Sequence, residues 1–357
     1  MKKKAKVLLI TPNLKGISDG VNRIQPSLGL MLIAPILEKN GHQVKIYDAA
    51  LDGWDKRKII DEKNNIVMIG QDDENIAKVV SNFSPDIVAI SVLFSNLLES
   101  AHQIAKVIKR VDKKIKVILG GNHISSAVQD YKFFKIDKEL NKDNLIIDLE
   151  NEHFDYGMAG EGEFSLLKMV EAIIKNDHNE IMKVPGLVKR LSRGEYLINP
   201  NHRVHDLNLL PRPARHLVDM EAYFKIGAFH SAKSRSKRVL SVMCSRGCPE
   251  KCTFCSTPSM WGQNTRWRST EHIMDEIAND VRDFKIGEIQ FDDDTITVNK
   301  KNLYSLCDQL EKVGLPWCTP NGTKVNYHFK KQDEMYKRMY ESGCYQITLA
   351  CESGVQR

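Results

Sequence analysis

No stretch of this chain approaches the roughly 20 uninterrupted apolar residues of a membrane-spanning helix. The basic start, Met1 to Lys6, is followed only by Val7 to Thr11, too short for the apolar region of a signal peptide. A cytoplasmic setting with no membrane partner is therefore expected. Surplus charge is also missing. The net charge is +6 over 357 residues, and no single segment carries it, so nucleic acid is not an expected partner. There is no low-complexity tract and no long-range repeat. Cysteine is scarce, with 8 in 357 residues, too few for a disulfide scaffold. Half of those cysteines nevertheless fall between Cys244 and Cys255, a clustering that points to a metal or redox site.

What is present is an ordinary globular balance, 42% hydrophobic and 27% charged, long enough for two domains. Short apolar runs at 6–10, 44–47, 86–93, 115–119 and, more weakly, 154–159 alternate with helical patterns at 28–39, 97–110 and 163–174. This alternation predicts a doubly wound, Rossmann-like α/β domain with a parallel sheet over residues 1–180. Two polar, lysine-rich inserts, about 52–75 and 130–152, read as surface elaborations. The texture changes over 181–238. A hairpin is expected around Ser192-Arg193-Gly194, then a stiff connector at Leu210-Pro211-Arg212-Pro213. From 239 to 357 a second α/β unit is expected, with strands at 239–243, 286–291, 322–326 and 345–350 and helices at 270–284, 299–313 and 332–342.

The segment Arg246-Gly247-Cys248-Pro249-Glu250-Lys251-Cys252-Thr253-Phe254-Cys255 contains C-x3-C-x2-C directly after a predicted strand. Three thiolates on one loop can each bind one iron of a [4Fe–4S] cluster, leaving the fourth iron open for a small ligand. Zinc is the alternative, with Cys244 as fourth ligand, because thiolate count alone does not select the metal. Chance surface cysteines are a further one.

This motif, with an aromatic residue before its last cysteine, resembles the radical S-adenosylmethionine (SAM) superfamily. The wider string SRGCPEKCTFC resembles its cobalamin-binding branch. The resemblance implies a partial barrel of strand–helix units, six in the family core. It implies Cys248, Cys252 and Cys255 as cluster ligands, Phe254 near the SAM adenine, and Cys244 as a packed strand-end thiol. The cluster's open iron would chelate SAM, and one electron would cleave it to a deoxyadenosyl radical. Asp292 and Asp293, at the end of the predicted strand 286–291, resemble the family position that holds the SAM amino group, which needs acceptors. Read without the resemblance, they are a charge cluster ahead of a helix. Glu352, in Cys351-Glu352-Ser353-Gly354, resembles another SAM-side element.

In the first domain, Ser91-Val92-Leu93 and Gly120-Gly121 end consecutive predicted strands, and Gly160-Glu161-Gly162 follows the next. The ordered set resembles cobalamin-binding domains, where small residues at strand ends let a flat macrocycle approach the backbone. An ordinary Rossmann-like domain would also carry glycine there. Cobalamin domains of the family with a cobalt-ligating histidine carry D-x-H-x-x-G after the first strand. Residues 11–25 hold no histidine, which implies a corrinoid without a histidine ligand. Asp48 to Gly53 mimics the spacing but has Ala50 in the histidine place. His42 is expected to be a solvated turn residue, and His123 lies near the expected macrocycle edge. Gly186-Leu187-Val188 and the proline connector also resemble the branch's interdomain linker.

Taken together, the resemblance implies a cobalamin-dependent radical SAM enzyme, most plausibly methylating an unactivated carbon. Its substrate would be a small molecule or peptide, and its electron donor a flavodoxin or ferredoxin. A non-methylating radical cyclisation or rearrangement is the alternative within the class, and a non-catalytic corrinoid or iron–sulfur module the alternative outside it. No catalytic residue is identified. Four expected strands against six in the family core imply a truncated barrel, with Val325, Ile347 and Leu349 short of packing partners.

Overall fold

The computed structural model describes residues 4–134, 152–193, 195–231, 233–324 and 332–351. The chain divides into two compact units. The first comprises residues 1–22, 26–203 and 211–219; the second comprises 23–25, 204–210 and 220–357.

The first unit starts with β1 (Lys6–Thr11), β2 (Leu14–Ile17), α1 (Leu28–Lys39), β3 (Gln43–Asp48), α2 (Ala49–Asp52), β4 (Arg57–Asp61) and β5 (Ile66–Ile69). It continues with α3 (Asp73–Phe83), β6 (Ile87–Ser91), α4 (Leu98–Val111), β7 (Lys116–Gly120) and α5 (Asn122–Phe134). It ends with β8 (Tyr156–Met158), α6 (Glu163–Lys175), α7 (His178–Ile181), β9 (Leu187–Ser192) and β10 (Glu195–Ile198). Its 7-stranded sheet runs β10-β9-β8-β7-β6-β1-β3. The strands from β3 to β8 are parallel, and β9 and β10 join antiparallel.

The period-2 geometry of a strand explains why both faces are covered. In β1, Leu8 and Ile10 pack with Ile76, Val80, Ile104 and Ile108 of α3 and α4. Val7 and Leu9 pack with Leu30, Met31, Leu166 and Met169 of α1 and α6 on the other side. The chain order reverses between β1 and β6, so the carboxyl ends of these strands form the crevice in which doubly wound sheets bind ligands.

The doubly wound domain matches expectation; four local features do not. The 52–75 insert is not mere elaboration. β4 and β5 pair with β2 in a 3-stranded antiparallel sheet, β2-β5-β4, with Val67 and Ile69 buried. Helices α3 and α5 were not expected; residues 135–151 of the second insert lie outside the described residues. The hairpin 187–198, expected in a connector, extends the first unit's sheet instead. His42 is buried rather than solvated, and its Nδ1 accepts from the Ala5 amide at 3.1 Å.

The second unit has α8 (Met220–Ile226), β11 (Val239–Val242), β12 (Ser245–Arg246), α9 (Thr257–Trp261), β13 (Arg266–Trp267) and α10 (Thr270–Phe284). Then follow β14 (Glu288–Phe291), α11 (Lys300–Val313), β15 (Trp317–Lys324), α12 (Gln332–Glu341) and β16 (Cys344–Ala350). β11, β14, β15 and β16 form a 4-stranded parallel sheet in that order, the expected four strands. β15 starts at Trp317, five residues ahead of the expected 322, with register shifts along its pairing to β16. Phe291 and Trp317 meet edge to face at 5.4 Å. The sheet also buries polar side chains, Glu288 and Gln290, which are fully satisfied. Glu288 accepts from the Ser236 amide, Gln290 and the Tyr345 hydroxyl, and Gln290 bonds the Ser231 amide and the Ser234 hydroxyl. Leu349 is exposed on β16, and Val325 lies outside the described residues. Among the described residues no helix is long and apolar enough to cross a membrane.

Candidate functional site

Two groups of side chains gather the sequence candidates, each at the carboxyl ends of a parallel sheet.

The second unit carries the cysteines. β11 ends at Val242, and the chain passes through Cys244 and β12 into the cysteine loop. Gly247 makes the turn with φ +100, and a Cβ there would stand 2.7 Å from the Asn264 carbonyl oxygen. Only glycine occupies that conformation without strain. Cys248 is partly exposed, Cys252 and Cys255 are exposed, and all three thiols are free. Phe254, which precedes Cys255, is 71% exposed. Among the described residues no three His, Cys, Asp or Glu side chains are already gathered as metal ligands. The donor set itself fits an iron–sulfur cluster: three unpaired thiols on one accessible loop, with no nitrogen ligand among them. Cys244 is fully buried, and burial pushes its thiol well above the usual range, as a packed strand-end residue requires.

The carboxylates after β14 divide into two kinds. Asp293 is buried and its oxygens are occupied. One accepts from the Cys244 amide at 3.0 Å; the other accepts from the Ser245 amide at 2.6 Å and from the Ser245 hydroxyl. Burial lifts its carboxyl to about 6 despite these donors. Asp293 is thus tied to the start of the cysteine loop. Its neighbour Asp294 accepts from the Thr257 hydroxyl at 3.2 Å. Asp292 Oδ1 is buried, makes no hydrogen bond and lies 3.5 Å from His230 Nδ1, in a side chain 12% exposed. Asn321 donates to the backbone carbonyls of Asp292 and Asp293, fixing the turn. Glu352 lies outside the described residues.

The first unit brings together the loops after β6, β7 and β8. The Val92 amide donates to the Gly120 carbonyl at 2.9 Å, and the His123 amide to the Val92 carbonyl at 3.1 Å. His123 Nδ1 meets the Ser95 hydroxyl at 2.9 Å, and the Gly160 amide donates to the Ser125 hydroxyl at 2.9 Å. Ser91, Gly120, Gly121 and Gly160 thus belong to one knitted surface. Leu93 is exposed beside them, whereas Glu161 is buried and the segment offers its glycines instead. The glycines differ in why they are needed. Gly121 has φ +98, and a Cβ would lie 2.6 Å from the Val92 oxygen; Gly160 has φ +81. At Gly120 a Cβ would meet nothing nearer than 3.9 Å. The chain's own packing therefore has room for a Cβ at 120 but not at 121.

Sequence reasoning missed Ser245, Thr257, Asp294, Asn321 and His230. The run of three carboxylates was the one available signal, and it did not tell which of them face the loop.

Comparison with known proteins agrees with this geometry. The B12 binding domain family matches residues 15–138. The cytidylyl-2-hydroxyethylphosphonate methyltransferase of Streptomyces wedmorensis is 32% identical over 373 residues, covering 99% of this chain and 66% of that protein. Two solved structures share the fold at 16% identity. The radical SAM methyltransferase TsrM from Kitasatospora setae, solved with tryptophan substrate and a SAM analogue, has a TM-score of 0.67 and covers 98% of this chain and 59% of its own. The cobalamin-dependent SAM radical enzyme OxsB, solved with aqua-cobalamin and SAM, has a TM-score of 0.68 and covers 99% and 44%. The chain thus spans about two thirds or less of the length of each.

Proposed function

The chain belongs to the radical SAM family whose members carry a cobalamin-binding domain, and from that premise we propose that it is a cobalamin-dependent methyltransferase acting on an unactivated carbon. The observation that carries the reading is the loop of Cys248, Cys252 and Cys255 at the carboxyl end of β11, in one chain with a match to the B12 binding domain family. When bound, the [4Fe–4S] cluster would supply the electron that cleaves SAM, and cobalamin would carry the methyl group.

The chain's own residues then have distinct tasks. The three cysteines hold the cluster. Exposed Phe254 would give an aromatic surface for the SAM adenine, and the Asp292 carboxylate an acceptor for its ammonium group. The strand ends at Ser91, Leu93, Gly120, Gly121, Gly160 and Gly162 seat the macrocycle. No histidine in residues 11–25 is available to the cobalt. The substrate is a small molecule or peptide, and a flavodoxin or ferredoxin supplies electrons.

The test is anaerobic reconstitution with iron, sulfide and cobalamin, then incubation with a reductant and SAM labelled in its methyl group. The panel of acceptors begins with the cytidylylated phosphonate on which the Streptomyces relative acts by name. Deoxyadenosine and label in a new carbon–methyl bond are expected. Deoxyadenosine without methyl transfer over the whole panel would instead favour a non-methylating radical reaction. No deoxyadenosine from a fully loaded protein would remove the enzyme reading.

A further inference from the structure

We propose that Asp294 is a positioning residue that closes the cysteine loop, with Thr257 as its partner across the loop and Asp293 as a second anchor at the loop's start. The inference rests on the reading of Cys248, Cys252 and Cys255 as cluster ligands. It assigns to the carboxylates a task other than contact with SAM.

The geometry is specific. A three-cysteine loop leaves its backbone groups without a ladder or helix to satisfy them, so its shape must be imposed from outside. Asp293 and Asp294, in the turn just past β14, do this together. Asp294 accepts from the hydroxyl of Thr257, two residues beyond Cys255. Asp293 accepts from the amides of Cys244 and Ser245, just upstream of Cys248. All three cysteines lie between these attachment points. The turn is itself held by Asn321 from β15, so the loop is fastened to two neighbouring strands of the sheet. Carboxylates suit the role because each offers several acceptor sites, and bonds to a charged acceptor are the stronger kind. Within the loop, the Cys255 amide donating to the Cys252 carbonyl at 3.1 Å sets the spacing of the last two thiols. The clamp of Asp293 and Asp294 sets the span that contains all three.

A cluster held by three thiolates loses iron when one thiolate swings away. The clamp is therefore read out by retention of iron, independently of turnover. The experiment compares wild type with Thr257→Val, Thr257→Ser, Asp294→Asn and the double variant Thr257→Val/Asp294→Asn. Each is reconstituted anaerobically with iron and sulfide, and iron release to an excess of chelator is followed by absorbance. Melting of the apo proteins is measured alongside. Thr257→Val should release iron about tenfold faster, the factor expected for one lost hydrogen bond to a charged group. Thr257→Ser, which keeps the hydroxyl, should behave as wild type. The double variant should be no worse than Asp294→Asn alone, since both changes break one contact. Thr257→Val changes no buried charge, so it remains decisive where Asp294→Asn fails to fold. Wild-type release rates in both Thr257→Val and Asp294→Asn would overturn the clamp while leaving the cluster assignment standing. A wild-type protein that takes up no iron would overturn the cluster assignment and the clamp with it.

Discussion

The Thr257 hydroxyl donates to the Asp294 carboxylate at 3.2 Å, joining the far side of the cysteine loop to the end of β14. Asp293, one residue earlier, bonds the near side at Cys244 and Ser245. Two consecutive residues just past β14 thus address the two sides of one loop. Of the three adjacent carboxylates, Asp293 and Asp294 are hydrogen-bonded to the two sides of the loop, whereas Asp292 Oδ1 makes no hydrogen bond.

Gly247→Ala should damage the same loop from within. At φ +100 an alanine is strained, and its Cβ would sit 2.7 Å from one backbone oxygen and 3.0 Å from another. The left-handed conformation alone costs about 1–2 kcal/mol, and the two close contacts add to it. We expect an apo protein less stable by at least about 2 kcal/mol in urea, with poor iron uptake. Unchanged stability would mean that the turn before Cys248 adopts another conformation.

The cysteine motif and most of the fold were legible because their signals are local. C-x3-C-x2-C is read within one loop, and Lys6–Thr11 declares a two-sided buried strand by its unbroken apolar run. What was hidden depends on partners far along the chain. β4, Arg57–Asp61, is charged and almost wholly exposed, so only pairing to β5 identifies it as a strand. The start of β15 was obscured by Pro320, Asn321 and Gly322, residues that normally end strands, here accommodated by register shifts. His42 looked like a turn residue until Ala5 was placed against it. Nothing near Asp293 in sequence announces that Cys244 and Ser245 would bond its oxygens.

Gly120 and Gly121, adjacent at the end of β7, should separate binding from stability. Gly121→Ala forces a Cβ to within 2.6 Å of the Val92 oxygen at φ +98, and it should cost about 2 kcal/mol or more. Gly120→Ala has room in the chain and should leave stability unchanged or raise it by up to about 1 kcal/mol. The same methyl group occupies the open strand end, so cobalamin affinity should fall at least about tenfold, measured by equilibrium titration followed in the visible spectrum. A Gly120→Ala protein that binds cobalamin normally would move the macrocycle away from β7.

Glu276→Gln should destabilise the second unit strongly. Glu276 and Arg268 approach to 2.6 Å with side chains only 2% and 8% exposed. Removing one charge of a buried pair leaves the other uncompensated, at a cost of about 3–5 kcal/mol. The damage should extend toward the cysteine loop, because Arg268 also donates to the Met243 carbonyl and its amide bonds the Cys244 carbonyl. Urea unfolding followed by tryptophan fluorescence measures the loss. A change below about 1 kcal/mol would show the pair to be hydrated in solution.

His272 should make this region sensitive to acid. Its Nδ1 accepts from Arg268 Nε at 3.0 Å, a bond that needs an unprotonated ring nitrogen. Burial lowers its pKa below the usual 6.5, and the Arg268 charge adds to the shift. A base with a depressed folded-state pKa binds protons less readily when folded. Its contribution to stability is therefore present above 6.5 and is lost as pH falls through the lower folded value. His272→Asn keeps an acceptor near the Nδ1 position but does not titrate. The stability difference between wild type and His272→Asn should thus shrink or reverse as pH is lowered from 7 toward 5 (both roughly bracketing the histidine range). Asp293 acts in the opposite sense, its contribution falling as pH rises from 3.8 through about 6. That term is common to both proteins and cancels in the difference. The half-buried position of His272 keeps the effect modest, so matched urea curves at each pH are the suitable measurement. A difference that stays constant across this range would mean that the Arg268–His272 bond does not persist in solution.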